Sequence, residues 1–241
     1  MRQYGLQLYS VKSHMQADMA ATLHEVAAMG YTMVEPAGFF GKSAAEFRAL
    51  CEQNGLTVCG SHSGFGELVD GKWKETIPYF QTIGCRRFIV PGAPWDTAAG
   101  LRDTIAKLNE YQPLLEQAGI RLMYHNHHGE LMPNQDGQIA HVEMQNNTTV
   151  IFEIDVYWAY RAGVSPLYLL EQLRDRIAVI HLKDGTMEHG TPLGQGDVPI
   201  AAIVKWAEAH GVDMVVENEP SAEVEMDEAR MCIDYLRRLE T

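Results

Sequence analysis

The chain has 241 residues, 46% of them hydrophobic and 21% charged, a composition that fits one large globular domain spanning residues 1–241. Nineteen Lys+Arg against 32 Asp+Glu give a net charge of −13, which repels a phosphate backbone and excludes nucleic acid as an expected partner. No apolar run approaches the roughly 18–20 residues that span a bilayer, and Cys51, Cys59, Cys85 and Cys232 form no CxxC pair, so neither membrane insertion nor a disulfide or thiolate-zinc framework is expected.

The N-terminal MRQYGLQLYSVKSHM has no long apolar stretch after Arg2 and no small-residue cleavage site, which predicts a cytoplasmic protein with reduced cysteines. Residues 4–11, YGLQLYSV, read as a first strand. From there one local pattern recurs: a helical segment, a glycine, an apolar residue, then a β-rich run. It appears as Met29-Gly30-Tyr31 before TMVEPAG, Asn54-Gly55-Leu56 before TVCGSH, and Ile83-Gly84-Cys85 before RRFIVPG. It returns as Ala118-Gly119-Ile120 before RLMYHNH and His210-Gly211-Val212 before DMVVENEP. Glycine accepts the left-handed conformation just past a helix, and the apolar residue packs back on the last turn.

With the apolar runs VIFEIDVYW and AVIHLKD, this predicts eight strands, at 4–11, 32–37, 57–62, 87–91, 121–127, 150–157, 178–183 and 213–219. Helical patterns fall at about 17–29, 43–54, 71–83, 98–118, 137–146, 165–174, 198–210 and 223–239, with Pro166 and Pro199 in first turns. Eight strand–helix units in this length predict an α/β fold, a single (β/α)8 TIM barrel. An open doubly wound sheet lacks support, because no strand is followed by GxGxxG and only Gly194-Gln195-Gly196 comes near. The last helix carries Met231, Ile233 and Leu236, enough to close the barrel and to offer a face to a second copy.

Ionisable residues crowd the C-terminal strand ends, where barrels place their sites. Strand two ends at Glu35, strand three at His62, and strand five at His125-Asn126-His127-His128 with Glu130 beyond. Strand six ends in Glu153-Ile154-Asp155, strand seven in His181-Leu182-Lys183-Asp184, and strand eight in Glu217-Asn218-Glu219. Alternation puts Glu153 with Asp155, His181 with Lys183, and Glu217 with Glu219. A single polar residue at a strand end is most often a loop anchor. Recurrence at successive ends points instead to a divalent cation.

The whole chain resembles the xylose isomerase-like barrels, a superfamily of sugar isomerases, epimerases, inosose dehydratases and apurinic-site endonucleases. FEIDVYW followed by RAG, VIHLKDG followed by PLGQGDVP, and VVENEP carry the resemblance. It implies one metal ion held by Asp155, His181 and Glu217. His125 is the fourth ligand by register, with His127 and Glu130 as alternatives. Mn²⁺ is the expected ion, with Zn²⁺, Co²⁺ and Mg²⁺ compatible. Many epimerases have a substrate-contacting His where this chain has Trp158, which suggests a stacking wall for a sugar ring. Val90 stands where the endonuclease branch places a zinc-binding His, against that branch.

The implied activity is sugar isomerisation or epimerisation: proton abstraction next to the carbonyl of a ketose or keto-sugar through a metal-stabilised enediolate. Glu217 would be both ligand and acid/base, with His127 or His125 as partner base and Lys183 orienting or protonating an oxygen. Glu35, His62, Glu130 and Trp158 would bind a small, unphosphorylated sugar. Elimination of a β-leaving group from a 3-keto-glycoside or inosose, as a lyase or dehydratase, is the alternative. A non-catalytic sugar-binding barrel is a third.

Overall fold

Gly30, Gly55, Gly84, Gly119 and Gly211 all have positive φ, between 65° and 107°, and each ends a helix. The residues after them, Tyr31, Leu56, Cys85, Ile120 and Val212, are buried against the helices just closed. In this computed structural model, which describes residues 2–240, the five turns feed five strands of a parallel sheet.

The strands, in chain order, are Gly5–Gln7, Met33–Glu35, a split third strand, Arg87–Val90, Arg121–His125, Ile151–Asp155, Ile177–Leu182 and Asp213–Val216. The first pairs with both the second and the eighth, and pairing runs on from eighth to seventh, sixth, fifth and fourth. The third is split into Thr57–Val58, paired with the second strand, and Ser61–His62, paired with the fourth. The ring therefore closes through this one segment, and the architecture is the eight-stranded barrel that the pattern predicts. Gly60 sits in the break. A Cβ there would lie 2.6 Å from Ile89 Cδ1 and 2.8 Å from Glu35 Oε2, so a larger residue would press on both neighbours.

All eight anticipated helices form, at Met19–Met29, Ala44–Gln53, Trp73–Thr82, Ala98–Gln117, Ala140–Asn147, Pro166–Gln172, Ile200–His210 and Glu225–Leu239. Seven of the eight strands end earlier than expected, and two of these ends have a visible cause. The first stops at Gln7, whose side chain accepts the Tyr9 N–H at 3.0 Å and starts a 3-10 turn over Leu8–Val11. The sixth stops at Asp155, which caps a short helix, Val156–Arg161, by accepting the Trp158 N–H at 2.9 Å. Met231 is exposed, so the final helix packs inward through Met226, Ala229, Cys232, Ile233 and Leu236 instead. Among the described residues no helix is long and apolar enough to cross a membrane.

One buried histidine lies outside the barrel. His141 packs its ring 4.5 Å from the Phe152 ring and places Nδ1 2.7 Å from Gln145 Nε2. Burial, with Arg176 adding to it, pushes its pKa down to about 3. The folded state thus keeps His141 neutral while the unfolded chain takes up a proton below pH ~6.5. Its stabilising contribution is complete above that value and is lost as pH falls toward 3, by about 1.4 kcal/mol per unit. Urea melts of wild type and His141→Phe should diverge at that rate between pH 6 and 5, with wild type losing more. Parallel curves would show that the native state protonates His141 freely.

Candidate metal centre

Alternation along each strand turns Ile89, Met123, Val179 and Val215 into the barrel, where they form an apolar plug separate from the outer core. Two residues further along the same strands come His125, His181 and Glu217, and the sixth strand adds Glu153 and then Asp155. The polar centre is thus built on top of a packed floor by rigid strand ends.

Its lower tier is a carboxylate–imidazole network. Glu153 Oε2 lies 2.7 Å from His62 Nε2, 3.1 Å from His125 Nδ1 and 3.2 Å from His181 Nε2. Glu35 Oε1 accepts from Gln7 Nε2 at 2.7 Å and lies 2.9 Å from His181 Nε2. Glu35, Glu153 and His181 have no solvent exposure. Burial and the neighbouring Glu153 push the Glu35 carboxyl above its usual range. Burial would raise Glu153 too, but His181 and the hydrogen bonds from the three imidazoles outweigh it and hold that group well below.

The upper tier brings His125, Asp155, His181 and Glu217 together, one donor atom from each lying within 4.8 Å of the others. His181 Nδ1 is 2.8 Å from Glu217 Oε2. Asp155 Oδ1 is used by the Trp158 N–H, while Oδ2 is buried and has no partner among the described residues. Asn126 clamps the backbone here, accepting the Asp155 N–H at 3.1 Å and donating to its carbonyl at 3.4 Å. Burial pushes the Asp155 carboxyl up to about 7, against the pull of Lys183. Burial acts the same way on Glu217, but Lys183 and His181 draw it well below the usual range. Burial also holds His125 down to about 3, so its ring is neutral. Two carboxylates and two imidazoles with one carboxylate oxygen unpaired are the donor set of a divalent-cation site. A cation there would offset the several kcal/mol that two buried carboxylates cost alone.

Above this tier lies a cavity of about 470 Å³ lined by Tyr9, His62, His125, His127, Glu217 and Glu219 among others. A side compartment of about 270 Å³ adjoins it through Glu219 and is walled by Tyr157, Trp158, Arg161 and Lys183. Lys183 Nζ pairs with Glu219, lies 3.9 Å from Glu217 Oε2 and sits 4.6 Å over the Trp158 ring. Burial would lower its pKa, yet Glu217, Asp155 and Glu219 raise it, so it is an ammonium. Burial lowers His127, leaving a neutral imidazole on the cavity wall.

His62, His125, Asp155, His181 and Glu217 thus share one centre, with His127 and Lys183 beside it. Two residues expected to touch substrate are placed differently. Glu35 is sealed below the centre by Gln7 and His181 and is not part of the cavity lining. Glu130 is buried in the loop after the fifth strand, taking the Tyr124 hydroxyl at 3.2 Å and the His127 N–H at 3.1 Å. It shapes the loop that carries His127. Gln7 and Asn126 also belong to the site without any signal in the sequence, and Glu153, expected on the strand face of Asp155, lies in the lower tier.

A closed eight-stranded parallel barrel with a His/Asp/Glu cluster at its C-terminal mouth defines the TIM-barrel class. Within that class the chain belongs to the xylose isomerase-like TIM barrel family, whose model matches residues 23–239. An inosose dehydratase from Geobacillus kaustophilus is 25% identical over 186 residues, a match that takes in 67% of this chain and 60% of the relative's length. The structure of a sugar phosphate isomerase/epimerase from Parabacteroides distasonis superposes with a TM-score of 0.85 and 26% identity, covering 99% of this chain and 98% of that one. A probable 3-DHS dehydratase from Bacillus anthracis shares the fold, with a TM-score of 0.79, 11% identity and 98% and 99% coverage.

Proposed function

We propose that the protein is a divalent-cation-dependent sugar isomerase or epimerase that moves a proton next to the carbonyl of a ketose or keto-sugar. The observation that carries this reading is the unpartnered Asp155 Oδ2, buried beside His125, His181 and Glu217 under a cavity that His127 lines. His125, Asp155, His181 and Glu217 would hold the cation, Mn²⁺ in the first instance and Zn²⁺, Co²⁺ or Mg²⁺ as substitutes. Such an ion, when bound, polarises a carbonyl and its neighbouring hydroxyl.

The chain's own groups handle the proton. His127, neutral and on the cavity wall, takes it from the carbon next to the carbonyl. The Glu217 carboxylate, which also lines the cavity, is the second acid/base group. Lys183, an ammonium held by Glu219, orients or protonates an oxygen. His62 accepts a substrate hydroxyl, and Trp158 gives the side compartment an aromatic wall for the far end of a small sugar.

A second reading uses the same proton abstraction to expel a β-leaving group. The match to an inosose dehydratase favours it. Incubating the Mn²⁺-supplied protein in D₂O with ketoses, inososes and 3-keto-glycosides, then analysing products by mass spectrometry, separates the two. The isomerase or epimerase reading expects deuterium next to the carbonyl in a product of unchanged composition. Loss of water or an alcohol would establish the lyase. No deuterium in any substrate or product would contradict proton abstraction altogether.

A further inference from the structure

We propose that Glu153 is a positioning residue that selects which nitrogen of His125 and of His181 is free to bind the cation. The inference rests on the proposed metal site and deepens it. The starting point is the set of His62, His125 and His181 rings, whose centroids lie 4.7–5.2 Å apart in the barrel. Each neutral imidazole has one N–H and one lone-pair nitrogen, and only the lone-pair nitrogen can ligate a metal. Three such rings in a dry core could adopt several tautomer combinations unless something fixed them.

An ionised carboxylate is an acceptor only, so any ring nitrogen facing it must carry the proton. Glu153 Oε2 faces His125 Nδ1 at 3.1 Å, His62 Nε2 at 2.7 Å and His181 Nε2 at 3.2 Å. Glu35 Oε1, anchored by Gln7, faces His181 Nε2 as well, at 2.9 Å. His125 is therefore an Nδ1–H tautomer with a lone pair on Nε2. His181 keeps its proton on Nε2; its Nδ1, 2.8 Å from Glu217 Oε2, also carries a proton in the metal-free protein and is the nitrogen that a cation would deprotonate and bind. His62 by the same logic keeps its lone pair on Nδ1, leaving an acceptor for a hydroxyl in the cavity it lines. Glu153 thus fixes the ligand His125 and the hydroxyl acceptor His62, and shares the orientation of His181 with Glu35. Outer carboxylates that orient metal-binding histidines typically change affinity about 10–100-fold when removed.

A competing arrangement is written in the same residues. His62, His125, Glu153 and His181 are themselves close enough to surround an ion, and Glu153 Oε1 is buried without a partner among the described residues. In that arrangement Glu153 would be a ligand, and Asp155 and Glu217 would not.

The test is Co²⁺ binding to chelator-treated full-length protein, followed by visible absorption and by competition with a chromophoric chelator. Positioning predicts that Glu153→Gln still binds one Co²⁺ per chain, about 10–100-fold more weakly and with an altered visible spectrum. A merely structural role would leave both the affinity and the spectrum of the bound ion unchanged. Affinity equal to wild type would overturn the proposal. So would loss of binding as complete as in Asp155→Asn, which would make Glu153 a ligand. If wild type binds no Co²⁺, the metal-site reading falls and this proposal falls with it. Should Glu153→Gln fail to fold, long-range ¹H–¹⁵N NMR of wild type loaded with Zn²⁺ reads the tautomers directly. Protonated Nδ1 in His125 and protonated Nε2 in His181 are expected, and the reverse in either ring overturns the assignment.

Discussion

Asp155→Asn should leave a folded barrel that no longer retains a divalent cation. Asn caps a helix as well as Asp does, so its side-chain oxygen can still accept the Trp158 N–H and the short helix Val156–Arg161 keeps its start. What is lost is the second carboxylate oxygen, the buried Oδ2 that has no partner among the described residues. Elemental analysis after metal loading and desalting should fall from about one ion per chain to under about a tenth of that, with turnover abolished and circular dichroism unchanged. Full occupancy in Asp155→Asn would remove this residue from the ligand set. Because a tightly held ion stabilises the folded state by about 2.7 kcal/mol at a hundredfold excess over Kd, chelation should lower the wild-type melting temperature by about 5–10 °C. The same treatment should not affect the variant.

The largest loss of stability is expected one residue beyond Lys183. Asp184 Oδ1 accepts the N–H groups of Gly185 at 2.8 Å and Val198 at 3.1 Å, while Oδ2 accepts those of Gly194 at 2.8 Å and Gly196 at 3.1 Å. A single carboxylate therefore ties the strand end at Asp184–Gly185 to the segment that enters the helix Ile200–His210. Hydrogen bonds to a charged acceptor contribute more than neutral ones, and removing the acceptor orphans four donors together. Asp184→Ala should cost about 3 kcal/mol or more in a urea melt, and it should expose the 185–198 segment to protease. A change below about 1 kcal/mol would mean that water replaces the carboxylate without penalty.

That network also shows where sequence reading stopped. Gly194-Gln195-Gly196 looked like a fragment of a phosphate-binding loop. Its glycines instead bring backbone N–H groups onto Asp184, and a Cβ on Gly196 would collide with that carboxylate. Nothing local in VIHLKDG or PLGQGDVP announces such a bond, because its partners are separated by up to 14 residues. Helix ends, by contrast, are local physics. The glycine after each helix and the apolar residue beyond it marked five of the helix-to-strand turns; the apolar runs YGLQLYSV, VIFEIDVYW and AVIHLKD brought the strands to eight, and the barrel followed from that count.

The site was legible to the same depth. Strand alternation brought Asp155, His181 and Glu217 to one mouth, and the family resemblance gave His125 its place beside them. Strand lengths were harder, since Gln7 and Asp155 each end a strand by capping the turn that follows. The early end of the sixth strand puts Trp158 on a helix, beside Lys183 and not over the four-residue cluster. The buried roles of Glu35 and Glu130 were invisible for a similar reason. Whether a strand-end carboxylate faces a cavity or a hydrogen-bond donor is decided by residues far away in the chain, here Gln7 and His181 for Glu35.

The most direct test of the central claim is the position of the ion itself. Crystals grown with Mn²⁺ and measured at the manganese absorption edge would give one anomalous peak per chain. It is expected among His125 Nε2, Asp155 Oδ2, His181 Nδ1 and Glu217, with Glu153 outside the ligand shell. A peak coordinated by His62 and Glu153, or none in fully loaded crystals, would contradict that claim.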